Sequence, residues 1–431
     1  MPPATPHAPA APPATGADES SGTAPAPAGP PAADDFWPRV ARELADDLAA
    51  DAVSRERAGK PPSDEVARVR EAGLLGVLNP PGAHGRGTGL RRACALVREI
   101  AAADGSVGEL LARHYALSWS ARLLAGPERA AGLEERAADG QWLWAGDVEA
   151  PGPGPGLALT PLRGGGHRLD GRRPLATGVP VADRFVLEAV CTATGAPLVV
   201  VVDPAAPGVT TGAAHDRFGQ RLAGAGDVEL RGVLVDADDV LGPGPRDEHT
   251  APASAALAPL LLRLVLAHVG LAVAEGALAE AREAGRSASR ERPVPPDGEE
   301  CDAAGDRADL LLAYGKLAAA LHTATAVVER ATEALAGELP VHGPPGGLPA
   351  DGWTAAPDTG AAVLVATAEA VTGRTAQHVT AGVLELADSA GLDRFWRDAR
   401  ALTVRTPTAG RLRAIGDHYL NGFRAPSAAT G

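Results

Sequence analysis

Apolar residues in the first third of the chain recur at intervals of three and four, the spacing of an amphipathic helix. Val40, Leu44 and Leu48 follow an acidic start at Asp34, with Trp37 placed to anchor the helix on a core, and Lys60-Pro61-Pro62 ends it. Ser63, with Asp64 and Glu65 behind it, supplies an N-cap and an acidic first turn for a second helix carrying Val66, Val69 and Leu74, which Gly73 loosens at its end. The spacing predicts further helices over residues 90–103 and 107–124, the latter capped by Asp104-Gly105-Ser106. After Trp144 the period changes. Residues 157–160, 198–202 and 228–235 are short β-type runs, and in the last of these Val228 and Leu230 alternate with Glu229 and Arg231. Helical spacing returns from Ala253, over 260–284, 308–335, 361–386 and a closing segment around 411–420.

One stretch between these regions reads as strand, turn, strand: HRLDGRRPLATGVPVADRFVLEA, residues 167–189. Asp170-Gly171 tolerates the positive φ of a tight hairpin, so a first reversal is expected there. A second is expected at Thr177-Gly178, ahead of an apolar strand over 185–190. Gly178 would let the backbone approach a flat ligand, and the Thr177 hydroxyl and the amides could hydrogen-bond its ring edge. The same dipeptide is also ordinary turn chemistry.

The fold class that follows is multidomain α and β. It comprises an N-terminal helical domain (34–142), a small central antiparallel β domain (143–245) and a C-terminal antiparallel helical bundle (250–426). Residues 1–33 are nearly all Pro, Ala, Gly, Thr and Ser; they cannot bury enough apolar area to offset the entropy of ordering and are predicted as a disordered tail.

Composition narrows the partners. The chain has 431 residues, 45% hydrophobic and 22% charged, enough to bury a large core. A net charge of -14 argues against non-specific binding to nucleic acid or an anionic membrane, both of which need a basic surface. Cys94, Cys191 and Cys301 are too scattered for a disulfide framework or a zinc site, so a reducing cytoplasm is the expected location. No secretory signal is expected at the start of the chain. The most apolar segment, 260–279, is interrupted by Arg263, His268 and Glu275, which predicts a buried core helix rather than a membrane span. There is no HExxH, CxxC, Walker loop, GxSxG or strand-to-helix GxGxxG, so metal-hydrolase, NTPase and Rossmann chemistry are not expected.

Helical domain, β domain and helical bundle in that order are accompanied by five marks. They are EAGLLGVLNPPGAHGRGTG (71–89), AAADGSVGELLARH (101–114), DGRRPLATGVPVAD (170–183), FGQRLAGAGDVELRGVLVDADDVLG (218–242) and GLDRFWRDAR (391–400). In this order they resemble the acyl-CoA dehydrogenase superfamily of flavoproteins, over about 34–426. Dehydrogenases of that superfamily carry a proton-abstracting glutamate shortly after the RDAR motif, where this chain has Thr406-Pro407, and a threonine hydroxyl is no general base near neutral pH. Trp396–Arg400, Pro407 and IGDHYLNG (415–422) are instead similar to the flavin-dependent monooxygenase branch, which includes dibenzothiophene monooxygenases, sulfur-acquisition oxidoreductases and amino-sugar nitrososynthases.

The resemblance implies a cytoplasmic homotetramer that receives reduced FMN or FAD from a separate flavin reductase. With O2 as co-substrate, it would oxidise a sulfur or nitrogen atom of a small molecule in a pocket kept dry by the bundle. It also implies catalytic roles for His114 and Thr177, and cofactor-binding roles for Thr177, Gly178, Arg292 and Arg397, with Arg292 reaching the flavin phosphate of a neighbouring subunit. Departures from the pattern concern the substrate: Leu402 stands where sulfur-oxidising members have a histidine, Ala225 replaces a serine, and Asp388-Ser389-Ala390 shortens a glycine pair. The alternatives are an acyl-CoA oxidoreductase with a relocated base and a non-catalytic flavin-binding paralogue.

Overall fold

Phe36–Ala58 forms helix α1 and Ser63–Glu71 helix α2, with Trp37, Leu44 and Leu48 on the buried face of the first and Val66 and Val69 on that of the second. The structure is a computed structural model and describes residues 36–79, 87–147, 156–214, 217–245, 251–291, 300–339, 359–387, 389–404 and 408–422. The segment expected to be a disordered tail lies outside them. Ser63 is the first residue of α2 rather than its cap; Pro62 holds the capping position and no side chain caps the helix. Leu90–Ala103 (α3) and Gly105–Ser118 (α4) are separated by Asp104, whose carboxylate accepts the Ser106 and Val107 amides at 3.0 and 3.1 Å, as the sequence predicts. Ser120–Leu124 (α5) is followed by Pro127–Asp139 (α6), a helix whose weak apolar stripe of Ala130, Leu133 and Ala137 does not announce it. It is tied to α5 by the buried, two-pronged Arg122–Glu134 ion pair at 2.8 and 2.7 Å.

The strands are Trp144–Asp147 (β1), Leu157–Pro161 (β2), His167–Leu175 (β3), Arg184–Cys191 (β4), Pro197–Val202 (β5), Val209–Ala213 (β6), Gly226–Val235 (β7) and Val240–Pro243 (β8). They form one sheet in the order β6-β7-β3-β2-β4-β5-β8. β1 lies beside the first half of β4, on the edge whose second half pairs with β2. The sheet is rich in antiparallel pairs but not wholly antiparallel, because β1 and β2 both run parallel to β4. The reason is topological. β3 folds back on β2, and the 176–183 connection then carries the chain across β2 to its far side, so β4 arrives pointing the same way as β2.

A second expectation is also corrected. Asp170-Gly171 does not reverse the chain; β3 runs straight through it as a bulge, its register against β7 slipping between Leu169 and Gly171. Gly171 does take a positive φ, of 134°, so the dipeptide signalled the backbone conformation but not its use. The Asp170 carboxylate fills the bulge by accepting the Gly232 amide at 2.7 Å. The reversal expected at Thr177-Gly178 is present, between β3 and β4.

β4 and β5 read as nearly continuous apolar runs because both faces are covered. Phe185, Leu187, Val200 and Val202 face the core of the β region, whereas Val186, Val199 and Val201 join the helical core. That helical core is shared by α3 and α4 with Leu257–Glu291 (α7), Glu300–Glu338 (α8) and Thr359–Leu386 (α9). Asp393–Val404 (α10) packs on α7 and α9, and Thr408–Asn421 (α11) on α9. Two described helices are long and apolar enough to cross a membrane by length and composition: the one around α7 is mostly buried, as expected of a core helix, whereas 17% of the apolar window in α8 is buried.

Candidate active site

The turn between β3 and β4 presents Thr177 and Gly178. Thr177 is 2% exposed, and its hydroxyl makes no hydrogen bond among the described residues. Gly178 adopts a φ of 75°, and a Cβ there would come within 2.8 Å of the Ala145 Cβ on β1. Its amide donates to the Ala223 carbonyl, and the Val179 amide to Gly224, each at 2.8 Å. Gly178 is therefore demanded by packing against β1 and the 223–224 segment, and its N–H is already spent. The amide contact to a ring edge expected of it is not available in this arrangement. What the turn offers a ligand is the Thr177 hydroxyl, and a hydroxyl that can both donate and accept fits a flavin edge rich in acceptors and donors.

His114 lies on the all-buried helix α4. The Trp144 amide donates to its Nδ1 at 3.2 Å, which leaves the proton on Nε2, 2.9 Å from the Leu75 carbonyl. Burial lowers its pKa to about 4, against the opposing effect of the hydrogen bond that Nε2 donates to the Leu75 carbonyl, so the ring is neutral. Both nitrogens are thus held by backbone. In this structure His114 joins α4, the Leu74–Gly76 turn and β1 through both ring nitrogens.

The RDAR motif on α10 proves to be a clamp between distant parts of the chain. Arg394 grips Glu280 of α7 through both terminal nitrogens, donates to the Gly391 carbonyl at 2.9 Å and lies 4.0 Å over the Phe395 ring. Arg397 donates to Glu56 of α1 at 2.8 Å and to Asp393. Asp398 accepts the Gln220 amide at 2.6 Å. Gln220 itself takes a positive φ of 55° and is fully buried; oriented to donate, its carboxamide nitrogen reaches Glu109 Oε2 at 3.0 Å and the Gly105 carbonyl at 3.1 Å. Carboxylates thus take both terminal nitrogens of Arg397, while its Nε is buried without a hydrogen-bond partner among the described residues. Leu402 packs half-buried against the helical core. Arg292 and Thr406-Pro407 lie outside the described residues.

Three buried groups make stability depend on pH. Burial lowers His114 to about 4 and His268 to about 3, and raises Asp398 to about 7, where the nearby Asp104 and Glu56 carboxylates outweigh Arg394. Between about pH 6.5 and 4 the unfolded chain binds two histidine protons that the native state refuses, while native Asp398 binds one that the unfolded chain does not. The net is one more proton on the unfolded side, so stability is expected to fall as pH drops through this window, by about 1.4 kcal/mol per pH unit. Asp398→Asn removes the opposing proton and should roughly double that slope, while stabilising the protein near pH 8, where the native carboxylate is charged. Urea unfolding of both proteins at pH 8, 6.5 and 4.5 reads the slopes directly; an unchanged slope in the variant would mean that Asp398 is already ionised at mild acidity.

The order of helices, sheet and helices, the β3–β4 turn and the α10 clamp define a protein of acyl-CoA dehydrogenase fold, and residues 32–129 match the acyl-CoA dehydrogenase N-terminal domain. Within that fold the chain is similar to flavin monooxygenases. Dibenzothiophene monooxygenase of Rhodococcus qingshengii is 29% identical over 91% of this chain and 94% of its own length. The dibenzothiophene monooxygenase TdsC of Paenibacillus sp. A11-2, solved with FMN bound, superposes with a TM-score of 0.77 at 27% identity, covering 91% of this chain and 99% of that one. Methanesulfinate monooxygenase of Pseudomonas fluorescens superposes at 0.76 with 25% identity, covering 91% and 98%.

Proposed function

We propose that this chain is the oxygenase component of a two-component flavin-dependent monooxygenase that oxidises the sulfur of a small organosulfur molecule, with O2 as co-substrate and reduced FMN delivered by a separate reductase. The observation that carries this reading is similarity along nearly the whole chain to a dibenzothiophene monooxygenase that binds FMN. Bound reduced FMN supplies the electrons that activate O2 for transfer of one oxygen atom.

The chain's own residues hold and shield that group. The Thr177 hydroxyl offers a hydrogen bond to the flavin edge, and burial strengthens that bond by excluding competing water. His114 fixes the turn from behind, because it holds the Trp144 amide at the start of β1, the strand on which Gly178 packs. Leu402 keeps its surroundings apolar and donates no proton. A phosphate contact from Arg292 of a neighbouring subunit is part of the same reading, in a cytoplasmic homotetramer. Its support is the α8 face carrying Leu311 and Leu312, which are 65% and 56% exposed and would be covered by a second copy of the chain.

The test supplies FMN, NADH and a flavin reductase with dibenzothiophene and smaller thioethers under 18O2. One labelled oxygen atom should enter the product, and only when the reductase is present. Thr177→Val should weaken reduced-FMN binding by about 0.5–1.5 kcal/mol, the net value of one hydrogen bond, without changing the melting temperature. Absence of any oxygenated sulfur product would overturn the assignment, and unchanged affinity in the variant would remove Thr177 from the site.

A further inference from the structure

A cavity of about 460 Å³ opens where the end of α1, the 217–221 segment and the start of α10 meet. The guanidiniums of Arg57, Arg217, Arg221, Arg394 and Arg397 line it, against the carboxylates of Glu56 and Asp393. This reverses the balance of the whole chain, which has 54 acidic and 40 basic residues. Two of the arginines are already committed, Arg394 to Glu280 and Arg397 to Glu56 and Asp393. Arg217 is anchored in part by the carbonyls of Ala176 and Gln220, at 3.1 and 3.4 Å. Arg221 comes no nearer than 3.8 Å to Glu56, and the Glu56 oxygen it faces is the one bonded to Arg397 at 2.8 Å. Arg57 has no hydrogen bond or ion pair among the described residues. Cationic heads converging on a concave wall raise the local potential, and an oxyanion relieves it through charge-assisted hydrogen bonds. Phe218 lines the same cavity, 54% exposed, its ring meeting Trp396 edge-on at 5.5 Å between centroids. An exposed aromatic ring beside unspent guanidiniums suits a ligand that joins a flat ring to an anionic group.

We propose that this cavity binds a small phosphomonoester carrying a planar ring, with Arg57 and Arg221 on the phosphate and Phe218 against the ring. The proposal does not rest on the oxygenase reading. The full chain, with no flavin added because FMN is itself a ring-bearing phosphomonoester, is titrated calorimetrically with AMP, adenosine and inorganic phosphate. AMP should bind at least about tenfold more tightly than adenosine, which lacks the charge-assisted contacts, and its affinity should fall as salt is raised from about 50 to about 500 mM. Arg57→Ala with Arg221→Ala leaves the Arg394 and Arg397 clamps intact and should weaken AMP by at least about tenfold. Phe218→Ala should weaken AMP but not inorganic phosphate. AMP binding no tighter than adenosine, insensitive to salt or unchanged in the double variant would overturn the site. Should the double variant not fold, the comparison of AMP with adenosine and the salt dependence of the native protein decide the matter alone.

Discussion

His114→Ala is expected to cost this protein roughly 3 to 5 kcal/mol of stability, because two backbone groups lose their partners at once. The Leu75 carbonyl and the Trp144 amide both end on the imidazole of a residue that is 1% exposed. Each orphaned group costs about 1 to 3 kcal/mol, and the cavity left by the ring adds to that. His114→Gln keeps one of the two bonds and should cost about half as much. Chemical denaturation of the three proteins at pH 8, where the native ring and a free imidazole are both neutral, isolates this effect from titration. A stable His114→Ala protein that has lost only oxygenation would return the histidine to the catalytic role its family position implies.

Acyl-CoA thioesters should not bleach the FMN-loaded protein under anaerobic conditions. Abstraction of an α-proton needs a base with a pKa near the working pH, and Thr406 occupies the position that the resemblance assigns to the dehydrogenase glutamate. Loss of a positioned general base typically removes a factor of about 10² to 10⁴, enough to take flavin reduction out of a stopped-flow trace. Anaerobic mixing with short, medium and branched acyl-CoA compounds, followed by flavin absorbance, checks this. Rapid bleaching by any of them would point to a base supplied from elsewhere in the fold and would favour the dehydrogenase reading over the oxygenase one.

These two cases differ in how far the sequence reaches. The missing base is a matter of residue chemistry at one position and can be read without coordinates. For His114, the sequence places a histidine on the right helix, but its two backbone partners lie on other elements, 39 residues before it and 30 after it. The RDAR motif shows the same limit. It was legible as a family mark, yet Glu280, Glu56 and Gln220, which turn it into a clamp, lie 114, 341 and 178 residues from their partners. No local spacing encodes such contacts.

Local chemistry did determine much of the architecture. Helical periods fixed α1, α3 and α7; the Asp104 cap set the start of α4; apolar β-type runs marked β4, β5 and β7. These follow from short-range rules of dihedral preference, capping and burial. Tertiary structure decided what those rules leave open. Asp170-Gly171 required a positive φ in either case, and only pairing with β7 made it a bulge instead of a turn. Gly178 could have opened the backbone to a ligand, but Ala145 and the Ala223 carbonyl claim it, leaving the Thr177 hydroxyl. A residue's type sets what it is able to bond. Which atoms stand within about 3 Å of it depends on how distant segments pack, and that decides which of its bonds are still free for function.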